Sequence, residues 1–309
     1  MNHEHLPVLL EEVVDGLAIK PNGIYIDATF GRGGHSQAIL DCLNKEGKLL
    51  VMDKDLQAIA TAKERFGNDP RVVIVHASFA ELEAAAEKQG WIGDVDGILL
   101  DLGVSSPQLN EASRGFSFMR EGPLDMRMDT SKGIDAATWL MQVEEKELAN
   151  VLWKYGEERF SRRIARTIIN QREISPINST LQLAELITKS VPKKEHHKNP
   201  STRSFQAIRI FINNELEELK KVLHQSVNVL KKGGRLCVIS FHSLEDRIVK
   251  QFIAQHTEVD AKMARLPIKE SQIRHRLKKV GKLISPGDEE IGINPRARSA
   301  RLRIAERAI

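Results

Sequence analysis

Short apolar runs alternate with amphipathic stretches along the first third of the chain. Gly23-Ile-Tyr-Ile26 is apolar and stops at Asp27; beyond a glycine-rich turn, Ser36–Leu43 repeats apolar residues at helical spacing. The unit recurs. Lys48-Leu-Leu-Val-Met52 ends at Asp53, a helical pattern covers 56–66, and Asn-Asp-Pro at 68–70 breaks it. Arg71–Val75 is β-branched and predicts a third strand, followed by helix over 79–89. Val95-Asp-Gly-Ile-Leu-Leu100 predicts a fourth strand ending at Asp101. Nearly all-apolar strands separated by helices predict an α/β fold, a parallel sheet covered on both faces. Ligands of such sheets collect at the carboxyl ends of strands, near the reversal of strand order. Asp27, the turn Gly31–His35, Asp53, Phe79 and Asp101 all fall at such ends.

The rhythm changes after Asp101. Residues 105–133 are rich in Gly, Ser, Pro and Met and show no period. From 135 to 190 the chain reads as helix with Gly156 its one glycine, and Trp139, Trp153 and Phe160 are expected as core anchors. Pro192–Pro200 reads as a basic linker or exposed loop. Helix resumes at Ser201 and runs towards Leu230, with Gly233-Gly234 as its C-cap pair. Arg235–Ser240 predicts a fifth strand, 244–254 a helix, and Lys279–Ile284 with Ala300–Ile304 an antiparallel terminal hairpin. The expected domains are a sheet domain of 1–105 and 201–309 and an inserted loop and helical substrate-recognition subdomain, 106–200.

Composition supports a folded chain: 309 residues, 41% hydrophobic and 28% charged. Cys42 and Cys237 lie in apolar runs with no C-x-x-C, so both are expected as small buried hydrophobes. No signal peptide and no apolar run of the ~20 residues a membrane span needs is present; the expectation is a cytoplasmic protein. Histidine and cysteine spacings suggest no metal. The net charge of +4 is unevenly spread, with +8 over 261–309 and −4 over the rest. Such an end suits a polyanion such as RNA, or is a solvated basic face.

The turn itself narrows the cofactor. A dinucleotide fingerprint beginning at Gly31-Arg-Gly33 requires glycine at 36, which is Ser36, and the phosphate-loop lysine is missing. S-adenosylmethionine carries no phosphate and needs close backbone approach. Its ribose hydroxyls suit a carboxylate at the end of the second strand, where Asp53 stands; an Asp there also serves as a helix cap. Phe79 either covers an adenine face or packs the next helix. Asp101-Leu-Gly-Val-Ser-Ser-Pro-Gln108 leaves the fourth strand with acceptors Asp101, Ser105 and Ser106 beside Pro107. Amino-methylating enzymes need such acceptors, because an exocyclic amine delocalises its lone pair into the ring and must be helped to pyramidalise. Ser240-Phe-His-Ser-Leu-Glu-Asp-Arg247 leaves the fifth strand, with Ser243 as a helix cap, Asp246 three positions on, and His242 as a substrate-side candidate.

Several long motifs, in order along nearly the whole chain, resemble the RsmH (MraW) family. They are Asp27–His35, Asp101–Gln108, Arg114-Gly-Phe-Ser-Phe-Met119, Gly122–Met128, Tyr155-Gly-Glu-Glu-Arg159, Ser240–Arg247 and Asn294–Ser299. The resemblance implies a class I S-adenosylmethionine-dependent methyltransferase: Rossmann-like, mostly parallel, with a C-terminal antiparallel hairpin and an inserted all-helical subdomain. It implies N4-methylation of cytidine 1402 of 16S rRNA in the small ribosomal subunit, by a monomer or homodimer without metal or membrane. By position it assigns the cofactor contacts to Gly33, Gly34, His35, Asp53, Phe79, Asp101 and Gln108. Asp101 and Ser105 are the catalytic candidates; Ser106, Pro107 and His242 are the substrate-binding ones. A non-catalytic ribosome-assembly factor, or a methyltransferase for another substrate, are the rival readings.

Overall fold

The structure is a computed structural model and describes residues 7–192, 199–257 and 276–309. It divides into two compact units, Met1–Gly103 with Leu216–Ile309, and Val104–Glu215.

The sheet of the first unit comprises β1 (Ile24–Asp27), β2 (Lys48–Asp53), β3 (Val72–His76), β4 (Val95–Asp101), β5 (Leu230–Ser240), β6 (Leu277–Ile284) and β7 (Arg301–Arg307); β1 to β5 are built on apolar runs, whereas β6 and β7 are rich in Lys and Arg. The strand order is β3-β2-β1-β4-β5-β7-β6. β1 to β5 are mutually parallel, and β7 runs antiparallel between β5 and β6. This is the class I methyltransferase sheet, terminal hairpin included. Alternation along each strand divides the core. Ile26, Leu50, Met52, Ile98, Leu100 and Val238 meet the helices Glu215–Val229 and Ser243–Thr257. Tyr25, Leu49, Val51, Leu99, Cys237 and Ile239 meet the helices Leu10–Leu17, Gly34–Cys42 and Leu56–Phe66. Strand order reverses between β1 and β4, so Asp27 and Asp101 end the two strands that flank the switch point.

Three local expectations change. Gly233-Gly234 caps no helix: Leu230 already pairs with Val95 and Arg235 with Gly97, so the glycines bulge within β5, where Gly233 has φ +78°. The helix after β5 is entered through His242 rather than Ser243. Glu245 Oε2 accepts the N–H groups of Phe241 (2.8 Å) and His242 (3.2 Å), while Asp246 turns to Arg303 and Arg301 on β7. Cys42 is exposed because it ends its helix away from the buried Ile39 and Leu40; Cys237 is buried in β5. A short helix without a counterpart in the sequence pattern, Leu10–Leu17, precedes β1.

The second unit is helical: Ala136–Gln142, Glu145–Gly156, Ser161–Arg172, Thr180–Ser190 and Ser201–Ile212 follow a loop with one short helix, Ser106–Asn110. Trp139, Leu148, Leu152, Ile164, Ile168, Leu183, Phe205 and Ile208 build its core. Phe205, Ala207 and Ile208 bury the helix Ser201–Ile212 here, so the unit ends at Glu215, beyond the boundary expected at 200. The chain turns out of that helix at Asn213. Its carboxamide bonds Met128 N–H and the Met126 carbonyl, both at 2.7 Å, and so pins the aperiodic loop. Trp153 is 61% exposed, against expectation: the buried positions of its helix are Leu148, Val151, Leu152 and Gly156, and Trp153 lies off that face. Phe160 is half-buried against the core. The basic stretch 193–198, and 258–275 within the cation-rich end, lie outside the described residues. Among the described residues, no helix is long and apolar enough to cross a membrane.

Candidate active site

Within the sheet unit the turn after β1 is held from several sides. Asp27 is buried; its carboxylate accepts the Ser36 hydroxyl at 2.6 Å and the Thr29 N–H at 3.1 Å. Burial raises its pKa, and the bond from Ser36 opposes that rise. Ser36, the residue that spoils the dinucleotide fingerprint, is thus the internal partner of the strand-end carboxylate. Thr29 Oγ1 accepts the Asp101 N–H at 2.6 Å, which ties the turn to the end of β4. Phe30 N–H bonds the Met52 carbonyl and Gly31 N–H bonds Asp53 Oδ2 at 2.8 Å, which tie it to β2.

The three glycines differ in what they approach. A Cβ on Gly33 would stand 2.5 Å from the Phe30 ring, and one on Gly34 2.3 Å from Pro7. Both positions are therefore closed to side chains by the protein itself, and Gly33 adds a φ of +76°. Gly31, φ +55°, meets nothing nearer than its neighbour's carbonyl oxygen at 3.9 Å, so the backbone is open there.

Asp53 and Asp101 end β2 and β4. Asp53 accepts two backbone N–H groups, from Gly31 and Asp55, each at 2.8 Å. Its pKa is nevertheless pushed up to about 6 by burial. Asp55 takes the capping role that a strand-end Asp often has: it accepts Gln57 N–H at 2.9 Å and starts the next helix. Asp101 is also raised to about 6, by burial first, with His35 pulling down and Asp27 and Glu245 adding to the rise. Its Oδ2 lies 3.6 Å from His35 Nδ1, and its Oδ1 is buried without a hydrogen-bond partner. His35 is buried and its Nε2 bonds the Val8 carbonyl at 3.0 Å. A carbonyl only accepts, so Nε2 carries a proton and Nδ1 is the atom that faces Asp101.

Phe79 opens a short turn after β3 and is half-buried against the sheet core. At the end of β5, the buried Ser240 hydroxyl and His242 Nε2 also lack hydrogen-bond partners. His242 Nε2 is 3.1 Å from Glu245 Oε1, off the line of a hydrogen bond. Sequence reasoning missed Glu245, Thr29 and the Val8 carbonyl, since strand register and chain return bring them in and neither is visible locally. In the helical unit, Ser105 N–H bonds Gln108 Oε1 at 2.9 Å, which starts the helix Ser106–Asn110 with Pro107 in its first turn and Gln108 buried.

Orphaned polar atoms at the strand ends need donors, and the sign of the charge selects among ligands. Asp27, Asp53 and Asp101 would repel a pyrophosphate, while Arg32 of the turn bonds Thr61. S-adenosylmethionine, the donor that the resemblance implies, brings hydroxyl and ammonium donors and a cationic sulfur, so these residues fit it.

The chain matches the MraW methylase family over residues 2–308. It belongs to that family. The MraW methylase membership agrees with the sheet order and places the acidic strand ends in a methyltransferase. "Ribosomal RNA small subunit methyltransferase H" of Coxiella burnetii strain RSA 331 is 55% identical over 98% of both chains. The protein of that name from Hydrogenovibrio crunogenus is 58% identical over 98% of this chain and 96% of its own. Among solved structures, an rRNA methylase from Streptococcus thermophilus aligns over 99% of this chain and 100% of its own, at 12% identity and TM-score 0.44. Among the described residues no cluster of His, Cys, Asp and Glu has the form of a metal site.

Proposed function

We propose that this methyltransferase transfers the methyl group of S-adenosylmethionine to N4 of cytidine 1402 in 16S rRNA, in the decoding region of the small ribosomal subunit. The observation that carries the reading is Asp101, a half-buried carboxylate at the switch point whose Oδ1 is buried and unpartnered. The names of the relatives and the charge of the sheet edge support an RNA substrate. Lys278, Lys279 and Lys282 are exposed on the edge strand β6 and form no ion pair among the described residues. Such an edge suits a phosphate backbone as well as discouraging strand-to-strand association.

When bound, S-adenosylmethionine supplies an electrophilic methyl on a sulfonium centre. Asp53 holds the ribose hydroxyls while its own position is fixed by two backbone donors. Gly33, Gly34, His35, Phe79 and Gln108 complete the cofactor set implied by the resemblance. Asp101 accepts a hydrogen bond from the exocyclic amine, which localises the nitrogen lone pair; as the nitrogen gains the methyl and the methyl–sulfur bond breaks, positive charge develops on the amine beside this carboxylate, to which its surplus proton passes. With a pKa of about 6 it is ionised at neutral pH. Ser105 is the second acceptor; Ser106, Pro107 and His242 contact the base, which must leave its stack to enter the site.

The test is transfer of labelled methyl from S-adenosylmethionine to small subunits that lack the modification, with mapping of the modified nucleotide. Methylation at N4 of that cytidine is expected, and Asp101→Ala should slow it by roughly 100-fold or more. Donor binding without turnover on subunits would favour an assembly factor instead, and a label mapped elsewhere would reassign the target.

A further inference from the structure

Trp153 has no packing reason to be where it is. Its helix, Glu145–Gly156, buries Leu148, Val151 and Leu152 and leaves the indole 61% exposed. The chain then reverses tightly. Glu157 takes φ +50°, and the N–H groups of Glu157 and Glu158 both bond the Leu152 carbonyl, so the turn folds back on the last helical turn. Glu158 is buried and accepts the Phe160 N–H at 2.9 Å. What this corner shows to solvent is predominantly cationic: Lys154 beside Trp153, Arg159 in the turn, and Arg162 and Arg163 at the start of Ser161–Arg172 are all exposed, against one exposed acid, Glu157. Lys154 Nζ sits 5.0 Å from the Tyr155 ring. Arg166, one turn further on, is paired with Glu145 at 3.5 Å, whereas Arg159, Arg162 and Arg163 have no ion-pair partner among the described residues.

An isolated exposed indole is unremarkable, and so is an exposed arginine. Together they match the chemistry of a nucleic-acid surface: an aromatic face on which an unpaired base stacks, flanked by guanidinium groups that bind phosphates through paired N–H donors. The charge of the corner is complementary to a polyanion and opposed to a cationic or apolar partner. We propose that this corner of the helical unit is an RNA-docking face. In it, Trp153 stacks on an unstacked base, and Arg159, Arg162 and Arg163 hold the neighbouring phosphates. The proposal rests on the reading that the substrate is RNA and adds to it a second point of grip, carried by the helical unit alone.

The probe is a short single-stranded RNA oligonucleotide, followed by small ribosomal subunits lacking the modification. Base stacking on Trp153 should quench its fluorescence during titration with the oligonucleotide, and Trp153→Phe should remove that signal. Trp153→Ala should weaken oligonucleotide binding roughly tenfold, with partial recovery in Trp153→Phe. Changing Arg159, Arg162 and Arg163 together to Gln should weaken it more and should lower the slope of log affinity against log salt by roughly 2. Donor affinity and thermal stability should stay at wild-type values in every variant, since these side chains are exposed. Unchanged oligonucleotide affinity and unchanged KM for subunits in both variants would overturn the proposal while leaving the methyltransferase reading intact. Loss of subunit binding with unchanged oligonucleotide affinity would also overturn it, in favour of a protein partner. If the wild-type chain neither bound RNA nor methylated subunits, the functional reading would fall first and this docking face with it.

Discussion

The carboxylates on either side of β1, Asp53 on β2 and Asp101 on β4, are both raised to about 6 by burial, yet they are wired differently. Asp53 is anchored by two backbone N–H groups and is part of the turn's own scaffold. Asp101 is positioned through its backbone, by Thr29, and leaves one side-chain oxygen unsatisfied. Equal titration therefore conceals different roles. A buried acid with both oxygens engaged is a fixed fixture for a ligand to lean on. One with a free oxygen is poised for a partner that arrives and leaves.

The hardest test of this contrast is removal of each group. Asp101→Ala should lower kcat by roughly 100-fold or more with a smaller change in donor affinity. Asp53→Ala should act chiefly on the donor, raising its Kd roughly tenfold or more by calorimetry, because it also frees the Gly31 turn. Equal effects of the two on kcat and Kd would erase the distinction.

Amide substitution separates them by stability. Asp101→Asn removes a costly buried charge without breaking a side-chain hydrogen bond, so the ligand-free protein should melt a few degrees higher at pH 7.5. The gain is at most ~2 kcal/mol, since the side chain is 26% exposed. Asp53→Asn relieves the same kind of charge but retains one acceptor for two N–H donors, at a cost of ~1–3 kcal/mol. It should give no gain or a loss.

The pH profile sharpens the comparison further. Both groups bind their proton more tightly in the folded chain than in the unfolded one, from 3.8 up to about 6. Their contribution to stability therefore falls as pH rises through that window and is flat above it. Asp101→Asn should flatten part of this dependence in melts between pH 4 and 7. Activity runs the other way: kcat/KM should fall as pH drops through about 6, where Asp101 takes up its proton. The smallest effect is expected from His35→Ala. The imidazole draws the pKa of Asp101 down, so its loss should move that acidic limb to higher pH.

Strands β1 to β4 were legible in the sequence because each is a short, nearly continuous apolar run, a pattern that is local even in β3, whose side chains are only half-buried. The turn, Asp53 and Asp101 were legible because they sit where such strands must end. What escaped depends on chain return. The start of β5 at Leu230 is set by pairing with Val95, which no local pattern encodes. Trp153 was misplaced because hydrophobicity alone nominated it for the core, whereas the helix phase set by Leu148 and Leu152 turns it outward. The helix entry after β5 was misread by one residue because Ser243 and Asp246 mimic the cap that Glu245 makes with the backbone of Phe241 and His242.

The tie between the N-terminal segment and the glycine turn bears on how this protein can be handled. Pro7 lies where a side chain on Gly34 would be, the Val8 carbonyl holds His35, and Leu9 N–H bonds Glu290 Oε1 at 2.8 Å. Affinity tags, fusion partners and truncations near this end would bear directly on the strand-end chemistry.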